Sequence, residues 1–199
     1  MEVFIRLENQ DDYYIVENLT REAFWEMPGR PSGCNEHYLV NILRQSSDFI
    51  KELDYVALVD NKIVGHIIYT KSKIIDSDKN EHGIISFGPV SVLPDYQKKG
   101  IGTKLINFTL AKAKELGYRA VMIYGHPEYY PRFGFKNAGE YKVTTSDGKN
   151  FDAFMICELY SGSLNGITGC GHESPVFYNI NPEDVKLFDK KFPPKNMEG

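Results

Sequence analysis

No stretch of this chain stays apolar for the ~20 residues that a bilayer crossing requires. No basic-then-apolar leader pattern opens the N-terminus, so we expect no membrane partner and a cytoplasmic protein. Cysteine is scarce: Cys34, Cys157 and Cys170 are odd in number and widely spaced. That spacing argues against a disulfide frame and against a metal site, and fits reduced thiols. Basic residues do not predominate, with 23 Lys and Arg against 27 Asp and Glu and a net charge of −4. A nucleic-acid partner would want a basic footprint that is missing. A cationic or neutral amine ligand suits the charge better than an anion. There is no internal repeat and no low-complexity tract.

What is present is a chain of 199 residues, long enough for one domain with a real core. It centres on residues 84–135. The β-branched run Ile84 to Leu93 reads as a buried strand. A polar turn (Pro94, Asp95, Tyr96) and the segment Gln97-Lys98-Lys99-Gly100-Ile101-Gly102 follow. Next comes a helix from about Gly100 to Leu116. Ile101, Leu105, Ile106, Thr109, Leu110 and Ala113 form its apolar stripe, and Gly117 is placed for a left-handed cap. A second apolar strand spans Ala120 to Tyr124. Strand, glycine turn, helix and parallel strand make a βαβ unit. The first amides of such a helix lack intrahelical partners and, with the helix dipole, bind anions. Gly100 and Gly102 let the backbone approach a ligand closely, and Lys98 and Lys99 add charge. The turn is therefore expected to hold a phosphate or pyrophosphate. A dinucleotide fold would need a third glycine where Leu105 stands, and an acidic residue at a strand end about 20 residues on. Both are missing.

The flanking chain reads as a mixed α/β sequence. Val3 to Leu7 alternates like a strand, with Val3, Ile5 and Leu7 on one side. A helix capped by Asn9 or Asp11 covers Asp12 to Phe24, with Tyr14/Ile15, Leu19 and Ala23 inward. Trp25 to Asn35 is a loop, and Glu36 to Arg44 a second helix with Tyr38, Leu39, Ile42 and Leu43 inward. Tyr55 to Val59 and Ile63 to Thr70 form a hairpin about Asp60-Asn61-Lys62, followed by a polar connector, Ser77 to Gly83. Phe135 begins a further strand, and Ala153 to Leu159 is the last. Phe177 and Tyr178 are candidates to dock. Pro182 to Gly199 reads either as a packed helix or as a loose end.

Gln97-x-x-Gly100-x-Gly102 after an apolar strand resembles the acyl-CoA loop of GNAT-type N-acetyltransferases. Tyr130-Pro131-Arg132-Phe133-Gly134-Phe135 resembles that family's Y-x-x-x-G-F element. The likeness covers about residues 2 to 160 and suggests a small bacterial-type, single-domain member. It implies an α/β (α+β) GNAT fold, with a mixed central sheet splayed between two parallel strands and flanked by helices. Residues 1–160 would be the acetyltransferase domain and 161–199 an extension packed on it. It further implies acetyl-CoA as co-substrate, an amine acceptor whose identity is open, and a monomer or homodimer.

Carried onto this chain, the resemblance gives Val90 and Val92 main-chain contacts to pantetheine. Gln97, Lys98, Lys99, Gly100, Ile101, Gly102 and Thr103 become the pyrophosphate grip. Tyr130 becomes the acid that protonates the leaving thiolate, with Tyr129 one residue away as its rival. Pro131 departs from the family's helix at this point. No enzyme-bound intermediate is implied, so the cysteines carry no role as nucleophiles. Many relatives place a glutamate on the central strand. Here that strand has only Ser86 and Ser91 as polar side chains, and Glu22, Glu26, His66 and His126 stay open as bases, as does a water relay. Gly88-Pro89 reads as a bulge or a kink. Trp25, Met27, Arg30 and His37 fall where the family binds its acceptor. The competing reading is a non-catalytic acyl-CoA sensor or scaffold on the same fold.

Overall fold

The structure, a computed structural model, describes residues 1–26 and 33–195. Met27 and Arg30, expected near the acceptor, lie outside that range. The strands are β1 (Phe4–Leu7), β2 (Tyr55–Val59), β3 (Lys62–Ile75), β4 (Glu81–Val92), β5 (Ala120–Tyr124), β6 (Lys136–Asn137), β7 (Val143–Thr145), β8 (Phe154–Glu158) and β9 (Gly169–His172). The α-helices are α1 (Tyr13–Phe24), α2 (Glu36–Leu43), α3 (Ile101–Glu115) and α4 (Pro182–Asp189). The strands form one mixed sheet in the order β1-β2-β3-β4-β5-β8-β6, with β9 pairing β3 and β7. Most neighbours are antiparallel, while β4 and β5 are parallel. The chain gathers into two compact units, and β3, β4 and α3 each contribute residues to both.

The first unit holds residues 1–68, 89–105 and 175–199. Its β2–β3 hairpin turns on Asp60 (φ 48) and Asn61 (φ 62). Two successive positive φ values define the primed two-residue turn that matches strand twist, and Asp and Asn tolerate them. Lys62 thus belongs to the strand and not to the turn. Asn9 and Asp12 form a capping box on the short 3-10 turn that leads into α1. The buried face of α1 is Val16, Leu19 and Thr20, while Tyr14 (52%) and Ile15 (48%) stay exposed. On α2 the buried residues are His37, Leu39, Val40 and Leu43. Both helices are thus rotated from the expected faces, because polar residues are buried by pairing. In β1 neither Phe4 (64%) nor Leu7 (47%) is covered, so the alternation there does not mark a buried face. Phe177 packs beside Leu39, Leu43 and Ile68, whereas Tyr178 is 63% exposed. Of the two readings of the tail, α4 is the packed helix, with Val185 and Phe188 buried.

A buried ionic knot ties this unit together. Arg44, just past α2, donates to both Glu8 oxygens (2.9 and 2.6 Å) and to Glu17 (2.8 Å). Side-chain exposure is 3% for Arg44, 0% for Glu8 and 7% for Glu17. Next to it His66 bonds Asp54 at 2.7 Å.

The second unit holds residues 69–88 and 106–174. Its core packs Ile74, Ile84, Met122, Phe154 and Ile156 with Leu164 and Ile167 from beyond residue 160. The polar connector is shorter than expected, and the strands flanking it are longer. The Asp76 carboxylate accepts from the amides of Asp78 and Asn80 (2.9 and 2.8 Å) and from His82. The turn is satisfied internally, so Glu81-His82-Gly83 can run as strand despite its polarity. Parallel pairing of β4 with β5 is confined to Ile85↔Val121 and Ser86↔Met122. It ends just before Gly88 (φ 156), although β4 runs on to Val92. At the C-terminus of α3, Gly117 adopts φ 84 and Tyr118 N–H reaches Ala113 C=O at 3.1 Å. This is the left-handed helix cap expected there.

Replacing Arg44 with Met would leave the Glu8 and Glu17 carboxylates buried without their counter-charge. We expect urea denaturation to show a loss of about 3–5 kcal/mol, with the α1–α2 region opening first in hydrogen exchange.

Candidate functional site

In the first unit the decisive local geometry is where α3 begins. The first intrahelical bond is Lys104 N–H to Gly100 C=O, 3.0 Å. The amides of Ile101, Gly102 and Thr103 precede it and have no helical carbonyl to reach. Lys98 (φ 58) and Gly100 (φ 82) both sit in the left-handed region. Two such bends within three residues are the kind of turn in which successive N–H groups line an anion-sized concavity. A Cβ on Gly100 would meet nothing within 4 Å, so glycine serves there for its φ and not for space.

The turn is braced from both sides. Gln97 donates through Nε2 to the Val92 carbonyl at 3.1 Å, which fixes the turn to the end of β4. Lys62 and Lys99 place their ammonium groups 5.4 and 5.3 Å from the Tyr96 ring centroid. Lys62 thus adds to the turn a cation that the motif did not reveal. Beneath the helix start, a Cβ on Gly65 of β3 would come within 3.0 Å of Ile101 and 3.1 Å of Leu105. Gly65 lets the first turn of α3 sit hard on the strand. The signal was a glycine inside an apolar strand, which marks a close approach. Along β4, Val90 and Val92 share one face and remain half-buried, while Pro89 and Ser91 between and beside them are buried.

In the second unit Tyr130 opens a 3-10 turn, Tyr130–Phe133, whose first turn contains Pro131. Proline is accommodated there because no amide is needed. Gly134 closes the turn at φ 90. The Tyr130 ring sits among Tyr129 (5.2 Å between centroids), Phe135 (5.6 Å), Phe87 (6.0 Å) and Phe133 (6.2 Å). A Cβ on Gly125 would lie 2.4 Å from that ring, so Gly125 is what makes room for it. Among the described residues the Tyr130 hydroxyl makes no hydrogen bond. Burial, with Tyr129 adding to it, pushes its phenol up to about 12. The neighbouring Tyr129 instead lies under the Arg132 guanidinium, 4.6 Å from its ring. Neither hydroxyl is hydrogen-bonded among the described residues, and Tyr130 differs from Tyr129 in packing against Phe87 and Phe135.

The open candidates for a base separate as well. His66 is fully buried and bonded to Asp54, and burial lowers its pKa to about 4. It is a neutral structural donor. Ser86 pairs with Ser72 and Ser91 with Thr20, at 2.8 and 2.9 Å, all four buried. His37 is buried between Phe188 and Phe192, at 5.4 and 5.5 Å, and does not line an open site. Burial pushes the Cys34 thiol up to about 12 and the Cys157 thiol up to about 11, the state of packed and unreactive thiols. His126 is exposed. Glu22 and Glu26 line a cavity with Trp25, Pro94 and Gln97. Glu8, Asp54 and His66 stand close enough together to hold a cation, but Arg44 already occupies the Glu8 carboxylate. Among the described residues no helix is long and apolar enough to cross a membrane.

Comparison with known proteins agrees with this geometry. The chain is 31% identical over 125 residues to the uncharacterized N-acetyltransferase YjhQ of Escherichia coli, covering 62% of this chain and 68% of that one. It is 27% identical over 168 residues to the uncharacterized N-acetyltransferase YhbS of the same organism, covering 84% and 93%. The crystal structure of Escherichia coli YhbS in complex with CoA superposes with a TM-score of 0.79 at 25% identity, covering 91% of this chain and 94% of that one. A GNAT family acetyltransferase from Brucella melitensis in complex with acetyl-CoA superposes with a TM-score of 0.68 at 28% identity, covering 88% and 98%. Residues 14–135, which contain both the glycine turn and Tyr130, match the acetyltransferase (GNAT) family, and the chain belongs to that family of acyltransferase enzymes.

Proposed function

We propose that this protein is an N-acetyltransferase that moves the acetyl group of acetyl-CoA to a primary amine by direct attack. The observation that carries the reading is the start of α3, with three amides outside the helical bonding pattern behind a doubly bent, lysine-bearing turn. Relatives of this chain have been crystallised with CoA and acetyl-CoA. In this reading the amides of Lys98, Lys99, Gly100, Ile101 and Gly102, with the Thr103 hydroxyl, hold the diphosphate. Gln97 holds the turn in shape, and the main chain at Val90 and Val92 takes the pantetheine arm. Residues 1–160 form the acetyltransferase domain and the segment after 160 is an extension packed on it. That reading is supported by Leu164 and Ile167 in the core of the second unit and by buried Val185 and Phe188 of α4 in the first.

The reaction balances without an enzyme-bound intermediate. The amine lone pair attacks the thioester carbonyl carbon and an N–C bond forms. The C–S bond breaks and sulfur leaves with the electron pair. The nitrogen loses one proton to solvent and the sulfur gains one, delivered through the Tyr130 hydroxyl. A phenol held near 12 is a weaker acid than a thiol, which titrates near ~8.5. Its help is therefore greatest as a hydrogen-bond donor while charge grows on sulfur, and solvent restores its proton.

Four outcomes are expected. Gly102→Glu puts bulk and negative charge into the diphosphate site and abolishes acetyl-CoA binding by calorimetry; unchanged affinity refutes the turn assignment. Tyr130→Phe keeps acetyl-CoA affinity and cuts thiol release roughly ten- to a thousandfold; full activity removes Tyr130 from the mechanism. Because its pKa is raised and not lowered, Tyr130 stays protonated through neutral pH, so the wild-type profile has no falling limb from this group below about pH 10. Gly125→Ala forces the Tyr130 ring to move and costs about 1–3 kcal/mol in thermal or urea unfolding. It lowers turnover while acetyl-CoA affinity holds.

A further inference from the structure

Side chains from five separate parts of the first unit meet in its interior. Glu8 follows β1, Asp54 precedes β2, His66 lies on β3, Glu17 on α1, and Arg44 just past α2. None has a side chain more than 7% exposed. Three carboxyl groups thus face one guanidinium. The other charges that reach the cluster, Asp12 and Arg6, pair with each other at 2.6 and 2.9 Å and cancel. Tyr13 lays its ring 4.1 Å from the Arg44 guanidinium, and burial raises its phenol, which stays neutral.

With every carboxyl ionised and His66 neutral, this cluster would carry two net negative charges with almost no water around them. A buried group in that position takes up a proton instead. The hydrogen bonds show where. Glu17 accepts from Arg44 at 2.8 Å and from Asn41 at 3.0 Å, so it is satisfied as a carboxylate. Asp54 Oδ1 accepts from His66 Nε2 at 2.7 Å, and the other ring nitrogen, Nδ1, is buried without a partner. A second proton on the ring would make Nδ1 a buried donor with no acceptor, which holds His66 neutral. One oxygen each of Glu8 and Asp54 and a nitrogen of His66 lie within 4.8 Å of one another. The proton that the ring refuses therefore falls to the Glu8–Asp54 pair. Burial pushes Glu8 up to about 8 and Asp54 up to about 6.

We propose that Glu8 and Asp54 share one retained proton through neutral pH, and that this proton is a lock whose loss in mildly alkaline solution loosens the joint of α1 and α2 with the first strands. Two carboxyl groups so placed titrate as a pair, and the proton belongs to both. His66 is the sequence neighbour of Gly65, so the joint includes the strand on which α3 is seated. The sign of the effect follows from the directions of the shifts. Glu8 and Asp54 are raised, so the stability they give is present at low pH and lost as pH rises through about 6 and about 8. His66 and His37 are both lowered to about 4, so their share is complete above about pH 6.5 and lost only on acidification. The thiols of Cys34 and Cys157, raised by burial, begin to act above about pH 8.5. Between about pH 6.5 and 8 the carboxyl proton acts without them, and folding takes up one proton.

The test is urea unfolding of the full chain from about pH 6 to 9, with carbon-13 NMR of the Glu8 and Asp54 carboxyl carbons in the native protein. The wild-type folding constant is expected to fall about tenfold per pH unit between about pH 6.5 and 8. A Glu8 or Asp54 carboxyl carbon titrates in that window, and hydrogen-exchange protection of the α1 and α2 amides falls with it. Glu8→Gln and Asp54→Asn, which stay neutral at every pH, lose the slope. Should either variant fail to fold, the wild-type carboxyl titration decides alone. A flat wild-type profile, Glu8 and Asp54 carbons that both titrate below about pH 5.5, or an unchanged slope in both variants overturns the inference. A divalent cation is the other remedy for the missing positive charge. Manganese or zinc added to the wild type is expected to leave its melting temperature unchanged, and a rise that Asp54→Asn abolishes overturns the proton in favour of a metal.

Discussion

The close seat of α3 on β3 is the contact on which the start of α3 and the turn before it depend. Gly65 leaves no Cβ between the strand and the side chains of Ile101 and Leu105. The apolar stripe of α3 is therefore committed to the sheet from its first residue. Once the helix is seated, its direction is set, and so is the direction in which the amides of Ile101, Gly102 and Thr103 point. A backbone donor outside the helical pattern costs free energy if buried without a partner. Here it lies at the start of α3 behind a lysine-bearing turn, the kind of place where water or an anion can satisfy it. The same packing that builds the core thus presents these amides.

Charged side chains divide into two populations with different work. Arg44 and Arg21 are buried, and each donates to two or more partners. Arg44 joins the end of α2 to α1 and to Glu8 beyond β1. Arg21 holds Asp189 at the end of α4 and the Pro193 carbonyl. Buried guanidinium groups suit this role because a planar fork satisfies several acceptors at once. Removing one partner leaves a bare charge. Glu22 and Glu26 belong to the other population: Glu22 is half-buried and paired with Lys195, Glu26 is exposed, and both line a cavity.

Tyr130 shows how packing gives chemically similar residues different surroundings. The chain has 13 tyrosines. Tyr69 spends its hydroxyl on Thr109 at 2.8 Å, and Tyr129 gives its ring face to Arg132. Tyr130 is held by rings on several sides, with its hydroxyl unengaged. Burial among those rings raises its pKa, which favours the protonated phenol at neutral pH.

Local chemistry made much of this legible from the amino acids alone. The glycine turn, the stripe of α3, the Gly117 cap and the Asp60-Asn61 hairpin are short-range features. Each follows from φ preference or from a period of 3.6, and each stands in the structure, the hairpin with its turn shortened to Asp60-Asn61 because Lys62 joins β3. The family and its fold followed from two spaced motifs. The faces of α1 and α2 were misread because Glu17, Arg21 and His37 look like surface residues until their partners, far along the chain, are known. The roles of Gly65, Gly125 and Lys62 were equally hidden. A glycine's missing Cβ has meaning only against the side chain that fills the gap, and a lysine's charge matters only where it lands. The sequence by itself determined the central βαβ unit, the hairpin and the family. β7 and β9 were not legible, and β9 (Gly169–His172) follows the strand expected to be the last. These short polar and glycine-bearing segments become strands only by pairing with distant partners. The tertiary structure alone decided which carboxylates are buried structural partners, which rings surround Tyr130, and that Lys195 comes to rest beside Glu22. Burial and pairing are properties of residues brought together from distant parts of the chain, and no local pattern encodes them.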